Sequence, residues 1–212
     1  MDLAQVRREY LKHGLSSAEL DADPVKQLEK WLKQASGVAL VDATAMTLST
    51  VDESGQPSQR VVLLKKLDEN GLVFYTNLRS RKAQDIKLNN KVSLHFAWLP
   101  LERQVKITGV AQRMSLKENL AYFATRPKNS QIAAWASKQS QPISSRKFLN
   151  QAFEQMKAKF VDGEVPLPDF WGGYLVKPSR FEFWQGGNAR LHDSFVYSKD
   201  RDKHWNIERL AP

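Results

Sequence analysis

The sequence contains no cysteine, which excludes disulfide bonds and thiolate metal sites. This absence fits the reducing cytosol, and we expect a cytoplasmic protein. Long apolar runs are also missing, since no stretch approaches the roughly 20 residues that a membrane helix needs. The N-terminal MDLAQVRREYLKHG lacks the apolar core of a secretory signal. We therefore expect a soluble chain with no membrane partner.

Histidine is scarce, and the four residues at positions 13, 95, 192 and 204 have no metal-ligand spacing such as HxxxH. We predict no metal site. Acidic residues are outnumbered by basic ones, 23 to 32, which gives a net charge of +9. Such an excess suits nucleic acid, acidic lipid or phosphorylated small molecules. A merely solvated basic surface would give the same net charge. The positions of the cations must therefore distinguish an anion-binding site from such a surface.

What is present suits one compact domain, because the chain has 212 residues of which 42% are hydrophobic. Residues 1–22 are polar without a sustained period, and we expect them to form a mobile arm on a domain of residues 23–212. Asp23 and Pro24 are typical of a helix start, and Val25, Leu28 and Trp31 follow at helical spacing.

From about Ala45 the pattern becomes that of strands separated by turn sequences. The predicted strands are AMTLSTVD, SQRVVLLKKL, GLVFYT, KVSLHFAWL, ERQVKITGVAQRM, WGGYLVKP, RFEFWQG, DSFVYS and HWNIERL. Three predicted helices lie between the fifth and sixth of these strands: one opened by the capping box Ser115–Glu118, then SQIAAWAS and SSRKFLNQAFEQMKAKF. Hairpin spacing with inserted helices predicts a mainly β fold (α+β), an antiparallel barrel with peripheral helices.

The stretch YTNLRSRKAQDI predicts a first anion site. A strand ends at Thr76 and a helix starts near Ser80, so that Arg81 and Lys82 fall in the first helical turn. Cations are unfavourable there because the helix dipole is positive at its N-terminus. A bound phosphate would remove the conflict. We favour this interpretation over two side chains that simply point into water.

The stretch TRPKNSQ predicts a second anion site. Arg126 ends one helix, and Asn129 with Ser130 can cap the next. Tyr122, one turn before Arg126, could converge with Arg126 and Ser130 on a second phosphate. Ordinary electrostatics at a helix end explain these residues equally well.

Other polar residues lie at the ends of apolar strands or in loops. Arg60 and Lys65 have opposite parity in RVVLLKK, so a regular strand would direct them to opposite faces, and both could be surface cations. Lys65 follows four apolar residues and could lie at a pocket edge. Gln104 could bond a ring edge or face solvent, and Gln139 with Ser140 lies in a polar loop.

The stretch FWQGGNARLHDSF joins an aromatic residue, a flexible turn and two reactive side chains. Trp184 offers a flat apolar face, although most such residues belong to the core. Gly186 and Gly187 permit a hairpin turn. Arg190 and His192 differ by two, so on a strand both would project from one face, an arrangement that suits an anionic, proton-exchanging substrate.

Seven motifs in order resemble the bacterial pyridoxine/pyridoxamine 5′-phosphate oxidase family over essentially the whole chain, from about Arg7 to Pro212. They are RVVLLKK, FYTNLRSRKA, ERQVKITG, RPKNSQIAAWASKQS, PLPDFWGGY, FWQGGNARLHD and the terminal ERLAP. The resemblance implies a homodimeric split β-barrel that binds FMN, with two active sites at the subunit interface. It implies oxidation of pyridoxine or pyridoxamine 5′-phosphate to pyridoxal 5′-phosphate, with hydride transfer from C4′ to flavin N5. Reoxidation by O2 would give hydrogen peroxide, and the amine substrate would release ammonia.

The resemblance also implies the site residues. FMN contacts fall on Arg60, Val61, Val62, Leu63, Leu64, Lys65, Tyr75, Thr76, Arg81, Lys82, Gln104, Gln139, Ser140 and Trp184. Substrate contacts fall on Lys65, Tyr122, Arg126 and Ser130 for the phosphate, and on Arg190, Leu191 and His192 near the ring and the reacting carbon, with Arg190 and His192 as the catalytic pair. Arg7 and Tyr10 match a segment that closes over the substrate, so the arm would be a lid.

One position departs from the family pattern, which continues RLHD with an FMN-contacting Arg where this chain has Ser194. By parity we expect Ser194 to share a strand face with Arg190 and His192, and we expect weaker FMN retention or a shifted flavin potential. Two alternatives to the enzyme remain. One is a flavin- or pyridoxal-phosphate-binding barrel without turnover, and the other, a nucleic-acid-binding barrel, would need an exposed basic and aromatic stripe. We expect no nucleic-acid partner.

Overall fold

The computed structural model describes residues 1, 3, 5, 9–10, 14–38 and 42–212. Its helices are α1 (Pro24–Ser36), α2 (Arg81–Leu88), α3 (Leu116–Ala124), α4 (Lys128–Ala136) and α5 (Arg146–Lys159). Its strands are β1 (Ala45–Val51), β2 (Pro57–Leu63), β3 (Lys66–Asp68), β4 (Gly71–Asn77), β5 (Lys91–Trp98), β6 (Arg103–Arg113), β7 (Trp171–Gln185), β8 (Asp193–Lys199) and β9 (Trp205–Leu210). Short 3₁₀ turns span Ser17–Glu19, Leu99–Leu101 and Asn188–Arg190.

The strands form one curled antiparallel sheet in the order β2-β1-β5-β6-β7-β4-β3, with β8 pairing to β7 and β9 to β8. The long strand β7 belongs to two parts of this sheet. Its first half, Trp171–Val176, pairs with β4, whereas Arg180–Gln185 pairs with β8. The predicted mainly β antiparallel barrel with peripheral helices is therefore confirmed.

Helix α1 covers one face of the barrel as its sequence predicts. The Asp23 carboxylate accepts a hydrogen bond from the Val25 N–H at 2.8 Å, which caps the helix. Leu28 and Trp31 are fully buried, and the Trp31 ring packs edge-on against Phe183 at a centroid distance of 5.3 Å. Burying side chains of this size contributes about 1.5–3 kcal/mol each to folding.

Strand β7 is a correction to the prediction, which placed two strands around Pro178. One strand is possible because Pro178 lies opposite a register shift between Thr108 and Gly109 of β6. A β-carbon on Gly109 would lie 2.3 Å from the Lys177 carbonyl oxygen, so glycine is required for this close approach. The bulge accommodates the proline and the ladder continues.

The predicted strand SQRVVLLKKL is also corrected, because it divides into β2 and β3. The Leu64 N–H still donates to the Thr44 carbonyl beside β1, whereas the Lys65 N–H donates to Val73 of β4 at 2.8 Å. The chain thus changes partner strand at these two residues. Lys65 therefore does not follow the alternation of β2.

Helices α3 to α5 form a peripheral layer over the start of β7. The predicted capping box of Ser115 and Glu118 is present at the start of α3. The start of α4 differs from prediction, since its N-cap is Pro127 and both Asn129 and Ser130 lie in its first turn. Among the helices of the described residues, none has the length and apolar character to cross a bilayer.

Candidate active site

A cavity of about 990 Å³ lies between β2, β4, the start of α2 and the layer of α3 and α4. Both predicted anion sites contribute to it. The predicted site residues that line it are Arg60, Val61, Val62, Leu63, Lys65, Tyr75, Thr76, Arg81, Lys82, Tyr122, Arg126, Ser130, Gln139 and Ser140. Leu64 is instead part of the hydrophobic core. The expectation that Arg60 and Lys65 diverge was wrong, because the strand ends between them.

Lys82 is buried at the first of these anion sites, with 8% of its surface exposed. Its ammonium donates to Thr76 Oγ1 at 3.1 Å, to Gln139 Oε1 at 3.1 Å and to Ser80 Oγ at 3.3 Å. Burial and then the nearby Arg60 charge lower the Lys82 pKa to about 8. All three acceptors are neutral, and no ion-pair partner of this ammonium occurs among the residues that the structure describes.

Arg60 reaches the same region from β2 and is held by several acceptors. Its guanidinium donates to Thr50 Oγ1 and to Ser58 Oγ, both at 2.7 Å. Burial lowers the pKa of Arg60, which the Asp85 carboxylate, 3.9 Å from one of its nitrogens, partly offsets. The side chain is therefore fixed in one orientation.

The start of α2 keeps the charge conflict that its sequence predicts. Ser80 occupies the N-cap position, but its side chain makes no capping hydrogen bond to the helix. Arg81 is largely exposed and pairs with Asp52 at 3.1 Å. No acidic side chain occurs in the first turn, so nothing there complements the positive end of the helix dipole.

The second anion site is built on stacked aromatic rings. Tyr75 and Tyr122 stack at a centroid distance of 3.8 Å, and Tyr75 stacks on Trp171 at 5.2 Å. The Arg126 guanidinium lies 4.7 Å above the Trp171 ring. Its Nη1 atom is buried and has no hydrogen-bond partner among the described residues, and burial lowers the Arg126 pKa. A guanidinium with such a buried N–H is suited to an anionic acceptor.

Sequence reasoning missed residues that complete the cavity. Trp171 carries the aromatic stack, and Asp85 with Thr50 lies behind the first anion site. The spacing of Lys82 and Asp85, three apart on α2, places both on one helix face and could have indicated the pair. Nothing in the local sequence around Trp171 distinguishes it from a core tryptophan.

The turn after β7 differs from prediction. Arg190 ends a 3₁₀ turn and has a φ of 62°, next to Ala189 at 52°, so neither it nor His192 lies on a strand. The face shared by Arg190, His192 and Ser194 was wrongly predicted, because β8 begins only at Asp193. Two left-handed non-glycine residues in succession store conformational strain, which is common at functional sites.

His192 is oriented by the backbone of this turn. The Gly187 N–H donates to His192 Nδ1 at 3.1 Å, so the neutral ring carries its proton on Nε2. Tyr10 lies beside it, with ring centroids 5.0 Å apart, and also contacts Trp184 at 5.6 Å. A β-carbon on Gly186 would meet the Tyr10 ring at 2.4 Å, so this glycine makes room for the arm. Arg7 lies outside the described residues.

A row of side chains crosses the sheet beside this turn. Register pairs Gln104 with Trp184 and Trp184 with Ser194, so the three project from one face. Gln104 Oε1 lies 3.1 Å from His95 Nε2, and Ser194 is buried with 4% exposed. Among the described residues that line the large cavity, neither this row nor Arg190, Leu191 or His192 occurs. One chain thus presents two separate groups of predicted site residues.

A family model described as pyridoxamine 5′-phosphate oxidase matches residues 32–160, and one described as the pyridoxine 5′-phosphate oxidase C-terminal dimerisation region matches residues 171–212. The pyridoxine/pyridoxamine 5′-phosphate oxidase of Shewanella baltica is 59% identical over 211 residues, covering 100% of this chain and 99% of that relative. The relative of the same name in Shewanella frigidimarina is 58% identical with the same coverage.

Solved structures show the same architecture. PhzG from Burkholderia lata 383, in complex with tetrahydrophenazine-1-carboxylic acid, is 26% identical and matches with a TM-score of 0.86, over 92% of this chain and 95% of PhzG. A pyridoxamine 5′-phosphate oxidase-related, FMN binding protein from Nostoc punctiforme has a TM-score of 0.74 over 91% of this chain and 100% of its own. At 16% identity, the second likeness supports the fold alone.

Proposed function

Because this chain belongs to the pyridoxamine 5′-phosphate oxidase family, we propose that it is an FMN-dependent oxidase that converts pyridoxine or pyridoxamine 5′-phosphate into pyridoxal 5′-phosphate. The observation that carries the proposal is the cavity with two separate groups of cationic side chains. One group surrounds Lys82 and the other surrounds Arg126. A flavin phosphate and a vitamin phosphate would occupy them.

The residues present fit two phosphate esters. Among the described residues, five cations and no acidic side chain line the cavity: Arg60, Lys65, Arg81, Lys82 and Arg126. In the same part of the chain, Nη1 of Arg126 has no hydrogen-bond partner and the Ser80 side chain does not cap the first turn of α2. A volume of about 990 Å³ is at the upper end of the range typical for small-ligand sites, which suits two ligands side by side.

We assign the FMN phosphate to Lys82, Arg81 and Arg60 at the start of α2. The flavin would be held by the β2 segment Arg60–Leu63 together with Lys65, Tyr75 and Thr76. Gln139 and Ser140 would contact it from the loop side. The substrate phosphate is assigned to Arg126, Ser130, Tyr122 and Lys65. The nucleic-acid alternative is disfavoured, since these cations line one discrete cavity rather than an exposed stripe.

The second group of residues would come from a partner subunit of a homodimer. Gln104, Trp184 and Ser194 project from one sheet face, outside the cavity, and the dimerisation-region match spans the last two of them. An isologous dimer would bring this face of each subunit to the cavity of the other. Two equivalent sites, each built from both chains, would result.

FMN, when bound, supplies the redox chemistry by accepting a hydride from C4′, and O2 reoxidises it with release of hydrogen peroxide. Arg190 would orient the substrate and stabilise charge near C4′. His192 would donate its Nε2–H to the phenolic oxygen of the ring, since Nδ1 is engaged by Gly187. Leu191 would contact the substrate between them, and Arg7 with Tyr10 would close over it and exclude water.

The proposal is tested by the visible spectrum of the purified protein and by anaerobic addition of pyridoxine 5′-phosphate. An oxidase is yellow and bleaches when the flavin is reduced. A flavin- or pyridoxal-phosphate-binding barrel without turnover would be coloured or bind FMN but fail to bleach. A protein that neither carries nor binds FMN would contradict the proposal altogether.

The affinity for FMN should fall at alkaline pH. Lys82, with a pKa of about 8, is a cation below that pH and neutral above it, whereas the flavin phosphate remains an anion. The dissociation constant should therefore rise above about pH 8, by up to about tenfold per pH unit while only the charged lysine binds tightly. Quenching of FMN fluorescence by the apoprotein measures this. Riboflavin, which lacks the phosphate, is the control, and equal pH profiles for the two flavins would contradict the assignment.

Replacing Ser194 with arginine should strengthen FMN retention. Ser194 shares its sheet face with Trp184 and Gln104, and a guanidinium there would add a charge-assisted contact of roughly 1.5–3 kcal/mol in place of about 1 kcal/mol for a neutral one. The expected gain in affinity is about twofold to thirtyfold. Equal FMN dissociation constants for the original chain and its Ser194→Arg variant would show that Ser194 does not contact the flavin.

A further inference from the structure

A buried carboxylate lies directly behind the cations of the first anion site. Asp85 is 4% exposed and lies one turn after Lys82 on α2. Thr50 Oγ1, from β1, donates to Asp85 Oδ2 at 2.6 Å. The same hydroxyl oxygen accepts a hydrogen bond from Arg60 at 2.7 Å. Arg60, Thr50 and Asp85 therefore form a continuous chain of hydrogen bonds from the cavity wall to the helix.

This chain fixes the position of the Arg60 guanidinium. One of its nitrogens donates to Thr50 and to the Leu48 carbonyl, and the other donates to Ser58 and lies 3.9 Å from Asp85. Partners on both nitrogens hold the planar group in one orientation, so little side-chain entropy is lost when an anion binds. Arg60 is thus preorganised for the cavity that it lines.

The carboxylate also acts electrostatically on Lys82. The charged groups that face Lys82 are Arg60 from β2 and Asp85 on its own helix, and Thr76 and Gln139 approach it as neutral acceptors. Arg60 lowers the Lys82 pKa, whereas Asp85 raises it. Arg81 pairs separately with the partly buried Asp52. Loss of Asp85 would leave two close cations with no compensating charge behind them.

We propose that Asp85, acting through Thr50, is a positioning residue for the FMN phosphate, because it holds Arg60 in place and provides the counter-charge for Lys82. The inference rests on the proposed function, since it takes the FMN phosphate as the anion at this site. Asp85 makes no ligand contact in this scheme. Its effect reaches the phosphate only through the two cations.

The test compares FMN binding by the apoprotein and its Asp85→Asn variant from about pH 6 to about pH 10, a range that spans the titration of a perturbed lysine. Asparagine keeps the shape of the side chain and removes its charge. We expect about tenfold weaker binding at pH 8, and the alkaline loss of affinity should begin roughly one pH unit lower. Riboflavin affinity should not change. Glu53→Gln, which removes an exposed carboxylate of the neighbouring hairpin, should leave both flavin affinities unchanged.

Two results would overturn the proposal: an Asp85→Asn profile that superimposes on that of the parent chain, or an equal loss of riboflavin and FMN affinity. If this variant does not fold, Thr50→Val serves instead, since it removes the bridging hydroxyl and keeps the charge. It should weaken FMN binding several-fold without moving the alkaline midpoint, and unchanged FMN binding would contradict the positioning role. Failure of the parent apoprotein to bind FMN would contradict the proposed function rather than this inference.

Discussion

Replacing Arg126 with methionine should abolish efficient turnover of phosphorylated substrates while leaving the fold intact. The guanidinium lines the cavity, and its buried Nη1 has no hydrogen-bond partner in the described part of the chain, so a substrate phosphate would provide the acceptors. Two charge-assisted hydrogen bonds of about 1.5–3 kcal/mol each would be lost. We therefore expect kcat/KM for pyridoxine 5′-phosphate to fall by at least about 10²-fold. Release of hydrogen peroxide gives the rate.

The same substitution should not lower the stability of the apoprotein. Without substrate, the buried donor of Arg126 destabilises the folded apoprotein by about 1–3 kcal/mol. The contact of its guanidinium with the Trp171 ring stabilises the fold by about 0.5–2 kcal/mol. Methionine keeps the apolar stem and removes the unpartnered donor. The thermal unfolding midpoint should therefore be equal or higher, which calorimetry measures.

The control is Arg146→Met, at an exposed position at the start of α5, where the guanidinium donates a hydrogen bond to Asn150. It should change neither kcat/KM nor FMN affinity. If Arg126→Met turned over within about threefold of the parent chain, Arg126 would not hold the substrate phosphate. If it lost FMN and substrate together, the division of the cavity into two phosphate sites would be wrong.

The parts of the fold that are visible in the sequence are those determined by local chemistry. The cap of Asp23 on α1 and the capping box of Ser115 and Glu118 each involve residues only a few positions apart, so the local sequence alone predicts them. The antiparallel barrel follows from strand spacing. The first anion site was predicted because Arg81 and Lys82 are unfavourable in the first turn of a helix. The second rested on the possible convergence of Arg126 with Tyr122 and Ser130, which ordinary helix-end electrostatics explained equally well.

The parts that were missed depend on tertiary pairing. The end of β2 at Leu63 is set by a change of partner from β1 to β4, which the apolar run does not encode. The turn that carries Arg190 has left-handed residues in place of the predicted strand, because seven residues, 186–192, separate β7 from β8. The role of Asp85 could not be predicted either, because it depends on its hydrogen bond with Thr50, which is 35 residues away in sequence.

Replacing Arg190 with alanine should slow flavin reduction by about 10²-fold or more in a single turnover, since a cation beside the reacting carbon would be lost. Anaerobic stopped-flow absorbance measures the bleaching rate. FMN affinity should be unchanged, because the cavity residues are untouched. The Arg190 side chain is exposed in the turn after β7, so the free energy of unfolding should also change little. Unaltered reduction rate and substrate binding would contradict the assignment.

The two inactive variants together test whether each site is built from two chains. In a heterodimer of Arg126→Met and Arg190→Ala subunits, one site would carry both substitutions and the other would carry neither. Co-expression with two tags allows the heterodimer to be purified, and it should have about half the activity of the parent dimer. Sites contained within single chains would leave every heterodimer as inactive as the homodimers. Restored activity would therefore require that Arg190 of one subunit act on a substrate held by Arg126 of the other.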